Sequence, residues 1–230
     1  MSPQPAGFAF AIWGVIYLGE LLGTAAIILS RPSAALERTV AASNDAWLAA
    51  NVAQALWCFA FRPWALSRLW VPMALLACTA GCLFMAQSRG ISEASAIGAP
   101  QPSVMLRWLI LAPRSLHLGW VTAAMLVNAN AWVGYMRLGA GAALAYAILS
   151  IVVGALAAVA YQSIGATTGA LAISWALFAL SRGLPVGDDA RVLGPVVMGG
   201  VARAEATVAA GILIALLLAL LLPWLSRLVS

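Results

Sequence analysis

The sequence predicts an all-α, polytopic membrane protein with about seven transmembrane helices. Of its 230 residues, 64% are hydrophobic and only 8% are charged, and the mean hydropathy is +0.99. Soluble domains carry roughly a quarter charged residues, so this chain has too few charges to cover a water-facing surface. A transmembrane helix needs roughly 20 mostly apolar residues, and seven segments of the chain come close to that requirement.

Polar boundaries separate the predicted spans. The first ends at "SRPS" because Pro32 cannot continue a helix, and the second ends at Arg62-Pro63. The fifth and sixth form a tight hairpin across Gln162 and Ser163. The seven predicted spans cover about residues 7–29, 46–61, 69–87, 115–136, 141–161, 164–181 and 206–225.

Two connections between these spans are long. Residues 88–103 are rich in Gly, Ser and Pro and are predicted to form a polar loop. The following "VMLRWLILAP" is too short to span and is predicted to lie at the membrane interface, with Arg107 and Trp108 near the headgroups. Residues 182–205 are predicted to be irregular and exposed.

Charge and motifs exclude several function classes. All twelve basic residues are arginines and the net charge of +5 forms no basic stripe, so a nucleic-acid partner is not expected. Alternate loops carry six arginines on each side, which gives no orientation in the membrane. The three cysteines lack metal-ligand spacing. No phosphate loop, dinucleotide fingerprint, HExxH or nucleophile elbow occurs, so the sequence gives no positive sign of an enzyme.

The first span contains polar and aromatic residues on one helical face. Trp13, Tyr17 and Glu20 are spaced by four and three residues. An ionised carboxylate inside a membrane is costly, so Glu20 should be protonated, paired or facing a polar cavity. Two interpretations stay open: Glu20 belongs to a ligand or proton site, or its protonated carboxyl bonds a neighbouring helix.

The second span repeats this pattern with amides. Asn51, Gln54 and Trp57 are three residues apart and share a face. Amides between spans often bond across helices as packing contacts. The alternative interpretation is that these three residues line a pocket.

The fourth span carries the longest stripe of this kind. His117, Trp120, Ala124, Asn128 and Trp132 are spaced by three or four residues, which suits a flat ligand that stacks on rings while an amide fixes its polar edge. A lone histidine in such a stripe is most often a packing residue. The sharper hypothesis makes His117 a metal ligand, axial to a haem iron or a chlorophyll magnesium.

Small residues predict close helix contacts. Gly19 and Gly23 form a GxxxG in the first span, and Gly165 and Gly169 form another in the sixth. We expect the first pair to pack within the chain and the second to face a partner, as in a homodimer or a larger membrane complex.

Three motifs resemble the tryptophan-rich sensory protein family, also called the translocator protein or peripheral benzodiazepine receptor family (TspO/MBR). "WGVIY" (13–17) is similar to the family's "WxxLY", and "AQALWCFAF" (53–61) to its "LNxxWxxxFF", with Gln54 where Asn is expected. "SLHLGWVTAAMLVN" (115–128) resembles "PYLxWVxFAxxLN", with His117 in place of Tyr. The resemblance covers about residues 3–137 in order and spacing.

This resemblance implies a longer, related branch of the family. Residues 1–137 would form a four-helix region corresponding to the family's second to fifth helices, and residues 138–230 would add three C-terminal spans. The family implies a helical membrane protein, often dimeric, that binds porphyrins and, in animals, cholesterol. Val133, Tyr135 and Arg137 fit a proposed sterol motif of that family.

The leading hypothesis is a multi-pass membrane protein that binds a flat hydrophobic ligand, a tetrapyrrole (porphyrin, haem or chlorophyll) or a sterol-like molecule, for transport, sensing or sequestration. Its partners would be this small molecule and membrane lipid. A structural alternative is an accessory subunit of a larger complex, photosynthetic for example, that holds pigment or lipid. An enzyme with Glu20 or His117 as acid–base is a third. The expected ligand-binding residues are Trp13, Tyr17, Glu20, Gln54, Trp57, His117, Trp120, Ala124 and Asn128.

Overall fold

The described part of the chain forms seven α-helices, the number that the sequence predicts. The computed structural model describes residues 2–29, 33–62, 68–96, 104–183, 185–186 and 188–229. Among these residues, five helices are long and apolar enough to cross a bilayer, which confirms a polytopic all-α membrane protein. The helices are α1 (Ile12–Leu29, preceded by a 3-10 turn at Gly7–Ala11), α2 (Ala34–Ala60), α3 (Trp70–Ala96), α4 (Ala112–Tyr135, preceded by a π-helical stretch at Leu106–Leu111), α5 (Ala140–Ser163), α6 (Thr167–Ser181) and α7 (Asp188–Val229).

Helices α2 and α3 form a long antiparallel hairpin. Helix α2 begins earlier than the predicted second span, which started near residue 46. The Ser33 side chain caps the helix by accepting from the Leu36 N–H. The polar loop predicted for residues 88–103 is helical as far as Ala96, and residues 97–103 lie outside the described part. Ion pairs hold these polar ends together: Arg38–Glu93 at 2.6 Å and Arg89–Asp45 at 3.0 Å.

The segment "VMLRWLILAP" does not lie separately at the interface. It continues directly into α4, and together they make an apolar helix of 30 residues, Leu106–Tyr135. Pro113 has no N–H to offer the carbonyl of Leu109, and the helix is π-helical just before this proline. Gly23 of α1 packs against the Leu109 carbonyl, where a Cβ would collide with it. The first GxxxG therefore packs within the chain, as expected.

Helix α6 lies at the centre of the bundle against α4. A turn at residues 164–166 joins it to α5, and Gly165 adopts φ 79° there. The Gly169 N–H donates to the Ser115 hydroxyl of α4 at 2.8 Å, and Gly119 packs directly against the Gly169 carbonyl. The hypothesis that the second GxxxG faces a partner is wrong, because Gly165 shapes a turn and Gly169 contacts α4.

Helix α7 begins much earlier than predicted. Residues 188–205, predicted to be irregular, are helical except for a break at Gly194, which adopts φ 75° before Pro195. The helix forms here because its apolar face packs on α5: Ala190 lies in a cluster with Ala143 and Ala147. The Gly-Pro pair produced a kink and not a loop.

The N-terminal segment is tied to the connection between α6 and α7. Ser2–Pro3 pairs antiparallel with Pro185–Val186, and the Ala6 N–H donates to the Ala179 carbonyl at 3.0 Å. This segment therefore lies over the C-terminal end of α6, next to the site described below.

Candidate functional site

An aromatic pocket opens at the end of the bundle that carries the N-terminal segment. Its volume is about 290 Å³, at the lower end of the roughly 300–1,000 Å³ typical of small-molecule sites. Helices α1, α2, α4 and α6 supply its walls, and Gln4 and Pro5 lie at its edge. The side chains that line it most prominently are Phe10, Trp13, Trp57, Phe61, Trp120, Ala124 and Asn128.

The rings around this pocket are arranged in order. Tyr17, Trp13, Trp57 and Phe61 stack one after another, with centroid separations of 5.2, 6.2 and 5.1 Å. Trp120 meets Trp13 edge-on at 6.1 Å and an interplanar angle of 89°. Offset stacks and edge-on contacts are the favourable geometries for aromatic pairs. The four stacked rings, which we call the aromatic ladder, form one wall of the pocket. The edge-on Trp120 ring forms a second wall that is nearly perpendicular to it.

Three polar atoms of the pocket-lining residues are buried without a hydrogen-bond partner among the described residues. They are the indole Nε1 atoms of Trp57 and Trp120 and the Oδ1 atom of Asn128. The Asn128 Nδ2 donates to the Ala124 carbonyl at 2.9 Å, which fixes the amide so that its oxygen remains free. Buried polar groups are nearly always paired, so two donors and one acceptor around one cavity suit a ligand with polar groups at its edge.

Glu20 is buried and paired behind the aromatic ladder. Its Oε1 lies 2.9 Å from the His117 Nδ1, and His117 is fully buried. His117 also meets Trp13 edge-on at 5.8 Å. Of the possibilities that the sequence left for Glu20, the structure shows the paired one. The Nε2 of His117 has no partner in the described part of the chain, and His117 is not among the residues that line the pocket.

Gln54 of α2 lies next to Tyr17. Its amide is close to the Tyr17 hydroxyl, but neither of its polar atoms makes a hydrogen bond of acceptable geometry with a described residue. All nine predicted site residues therefore fall in one region. Trp13, Trp57, Trp120, Ala124 and Asn128 line the pocket. Tyr17 ends the stack of rings outside the lining, and Glu20, Gln54 and His117 lie behind that stack. Trp132, the last residue of the predicted stripe, is not part of the lining.

Sequence reasoning missed Arg114, which it placed in a loop. The side chain is only 5% exposed. Its guanidinium donates to the Ser43 hydroxyl at 2.9 Å and lies over the Trp47 ring at 4.8 Å. With Glu20 it lines a space of about 10 Å³, close to what one water molecule needs. The Arg114 guanidinium thus lies near the Glu20 carboxyl inside the bundle. The sequence signal for a buried Arg114 was the apolar "VMLRWLILAP" directly before it, which indicates a helix that continues through Arg114.

Phe10 and Phe61 were also absent from the predicted site, although Phe61 ends the motif "AQALWCFAF" quoted for the family resemblance. Phe10 meets Trp120 edge-on at 6.1 Å, and Phe61 ends the stack. The family profile described as TSPO-like protein matches residues 3–222. The chain belongs to this TSPO-like family. No curated protein and no solved structure matches the chain.

The match covers nearly the whole TSPO-like protein, including all the residues around the aromatic pocket and most of the three C-terminal helices. Family and helices together establish an integral, multi-pass membrane protein. The division into a region 1–137 and a region 138–230 remains a prediction. In the structure α4 packs on both α3 and α6, so helices from both regions meet at the pocket.

Proposed function

We propose that the aromatic pocket of this TSPO-like protein binds a flat hydrophobic molecule with polar groups at its edge, and that this molecule is a tetrapyrrole. The observation that carries the proposal is the combination of two aromatic walls with three unpartnered buried polar atoms around one cavity. Binding inside the membrane serves transport, sensing or sequestration of such a ligand.

The geometry favours contact with one part of the macrocycle. A cavity of about 290 Å³ is not fully enclosed, so one edge of the ring would enter between Trp57 and Trp120 while the other stays in the opening. The two indole N–H groups would donate to acceptors at that edge, such as a carboxylate, and the Asn128 oxygen would accept from a donor there, such as the O–H of a protonated carboxyl. The aromatic faces supply stacking area, and ring pairs contribute about 0.5–1.5 kcal/mol beyond the area that they bury.

The residues present fit a metal-free ring better than a metallated one. An axial ligand must reach the centre of the macrocycle, whereas His117 lies outside the pocket lining. Glu20 already holds its Nδ1, and the Trp13 ring packs against it. Ligation through the free Nε2 would need these rings to move. His117 as a metal ligand therefore remains a prediction that a spectrum can test.

The experiment is a titration of the purified protein with free-base protoporphyrin, followed by tryptophan quenching and by the shift of the porphyrin absorption band. Trp120→Ala should raise the Kd about tenfold or more, since a wall of the slot is lost. Asn128→Ala should cost about 1 kcal/mol for one hydrogen bond, or about fivefold in Kd. Trp108→Ala is the matched control, because Trp108 is 58% exposed and far from the lining.

Equal affinities for wild type, Trp120→Ala and Trp108→Ala, with folding intact, would place the porphyrin site elsewhere or remove it. His117→Phe with haem in place of protoporphyrin separates the ligation hypothesis from simple packing. Loss of a ligation band in the haem spectrum supports ligation, whereas an unchanged haem spectrum leaves His117 as the partner of Glu20 alone.

A further inference from the structure

A second polar site lies across α4 and α6 from the aromatic pocket, around Glu205 of α7. This carboxyl is 5% exposed, although α7 is one of the helices apolar enough to cross the membrane. It faces a cavity of about 30 Å³ between α4, α5, α6 and α7, together with Asn130 and Ser150. Ionisable residues inside a membrane are costly and rarely lie there without a function.

No described cation neutralises Glu205. It takes part in none of the ion pairs or hydrogen bonds within the described ranges. Helices α4, α5 and α6 contribute only apolar residues to the cavity apart from Asn130 and Ser150, so no second titratable group faces the carboxyl there. On α7 itself, Arg203 is exposed on a different face. An ionised carboxylate would therefore stand alone in an apolar surrounding.

Asn130 and Ser150 already donate all of their side-chain N–H and O–H hydrogens to other groups. The Asn130 Nδ2 donates both of its hydrogens, to the Leu126 carbonyl at 2.8 Å and to the Ser150 hydroxyl oxygen at 2.6 Å. The Ser150 hydroxyl donates its own hydrogen to the Tyr146 carbonyl at 2.8 Å. Both side chains consequently offer only acceptors to the cavity. A carboxylate is also acceptor-only, whereas a protonated carboxyl has one O–H to donate.

We propose that Glu205 is a proton-binding site inside the membrane, and that it holds its proton in a hydrogen-bonded chain through one water to the acceptors on Asn130 and Ser150. The cavity of about 30 Å³ has room for this water, because a water needs about 10–15 Å³ of such space. Release of the proton leaves a carboxylate facing two acceptors, so the charged form requires more water to enter between the helices.

Infrared spectroscopy of the purified protein in lipid tests the site without any ligand. A neutral carboxyl has a C=O stretch that a carboxylate lacks. At neutral pH the difference spectrum between wild type and Glu205→Gln should contain one such band. Glu37→Gln is the matched control, because Glu37 is exposed in the first turn of α2 and should give no such difference. Asn130→Leu should shift the Glu205 band, since it removes an acceptor.

The pH dependence of stability is the second readout. A proton that the folded protein holds more tightly than the unfolded chain contributes stability that is lost as the pH rises. Wild type and Glu37→Gln should therefore lose thermal stability as the pH rises from about 4, where an unfolded glutamate ionises, until Glu205 ionises in the folded protein. Glu205→Gln should lose less, because its amide cannot ionise. Glu205→Asp keeps a titratable carboxyl and should restore both the infrared band and the pH dependence.

The proposal fails if the wild type minus Glu205→Gln spectrum contains no neutral carboxyl band at neutral pH, because Glu205 would then be ionised and hold no proton. It also fails if Glu205→Gln and wild type lose stability in parallel as the pH rises.

Discussion

At the scale of single residues, the pairing of Glu20 with His117 explains how α1 carries a carboxyl through the membrane. The two atoms are 2.9 Å apart, and both side chains are buried. Removing one partner leaves the other without its hydrogen bond, at a cost of about 1–3 kcal/mol. Removing both as apolar groups of similar shape should cost less than the sum of the two single changes.

A double-mutant cycle measures this coupling. Glu20→Leu and His117→Phe should each lower the free energy of unfolding, and the double variant should recover about 0.5–3 kcal/mol relative to their sum. Arg89 and Asp45, an exposed pair at 3.0 Å, serve as the control cycle, for which a smaller coupling is expected because solvent screens the two charges. Strict additivity of Glu20→Leu and His117→Phe would show that the two side chains do not interact in the folded protein.

The sequence alone predicted which polar and aromatic residues share a helical face, for a simple reason. Helical periodicity puts residues three and four apart on one face, so each stripe could be recognised within its own segment. Which stripes meet depends on helix–helix packing, and helical periodicity says nothing about this. The structure brings Trp13, Trp57 and Trp120 together around one cavity, but Arg114 and Glu205 were missed, because both lie just outside the predicted spans.

At the scale of helices, the errors in the predicted helix boundaries share one cause. Predicted spans were ended where polar or irregular residues begin, whereas α2, α3 and α7 all continue as helix beyond that point. A hydropathy pattern marks the apolar part of a helix, and capping and packing decide where the helix itself ends. Ser33 caps α2, ion pairs join α2 to α3, and Ala190 packs on α5, so each helix is extended by contacts outside its apolar segment.

The contact between α4 and α6 predicts the effect of adding a single methyl group. A Cβ at Gly119 would collide with the Gly169 carbonyl, so Gly119→Ala should lower the free energy of unfolding by about 1–3 kcal/mol. At Gly81 of α3 nothing lies within 4 Å of an added Cβ. Gly81→Ala should therefore be neutral or stabilise by up to about 1 kcal/mol. Thermal unfolding followed by circular dichroism checks both, and equal melting temperatures for the two variants would contradict the close approach.

Helices α4 and α6 also separate the two cavities. Ala123, Val127, Ala176 and Leu180 line both the aromatic pocket and the Glu205 cavity. If the aromatic pocket binds a porphyrin, a charge on Glu205 and the water that it attracts should disturb this thin wall. Protoporphyrin affinity should then fall at alkaline pH in wild type and change less in Glu205→Gln. Identical pH profiles of the protoporphyrin Kd in the two proteins would show that the cavities are independent.

At the scale of the whole molecule, the bridge between the N-terminal segment and the α6–α7 connection fixes the topology. Ser2–Pro3 is paired with Pro185–Val186, so the N-terminus and the start of α7 lie on the same side of the membrane. Six helices lie between these two points, and an even number of crossings returns the chain to the side where it began. Helix α6 has only 15 residues, about 22 Å, and neither it nor α2 is among the five candidate spans of the described residues, so crossing by all six helices is what tags in the connections test.

Helix α7 then carries the chain to the opposite side. Its segment Ala190–Leu222 is long and apolar enough to span a bilayer, so the two termini should lie on opposite sides of the membrane. Tags at both ends, probed with an impermeant reagent on sealed cells or vesicles, should be labelled from different sides.

Tags inserted at Gly139 and at Gly165 sharpen the test. Four helices precede Gly139, so its tag should follow the N-terminal tag. Five precede Gly165, so its tag should follow the C-terminal one. Labelling of both termini from one side would mean that α7 or another helix does not cross, and the pattern at Gly139 and Gly165 would identify which half of the bundle fails to do so.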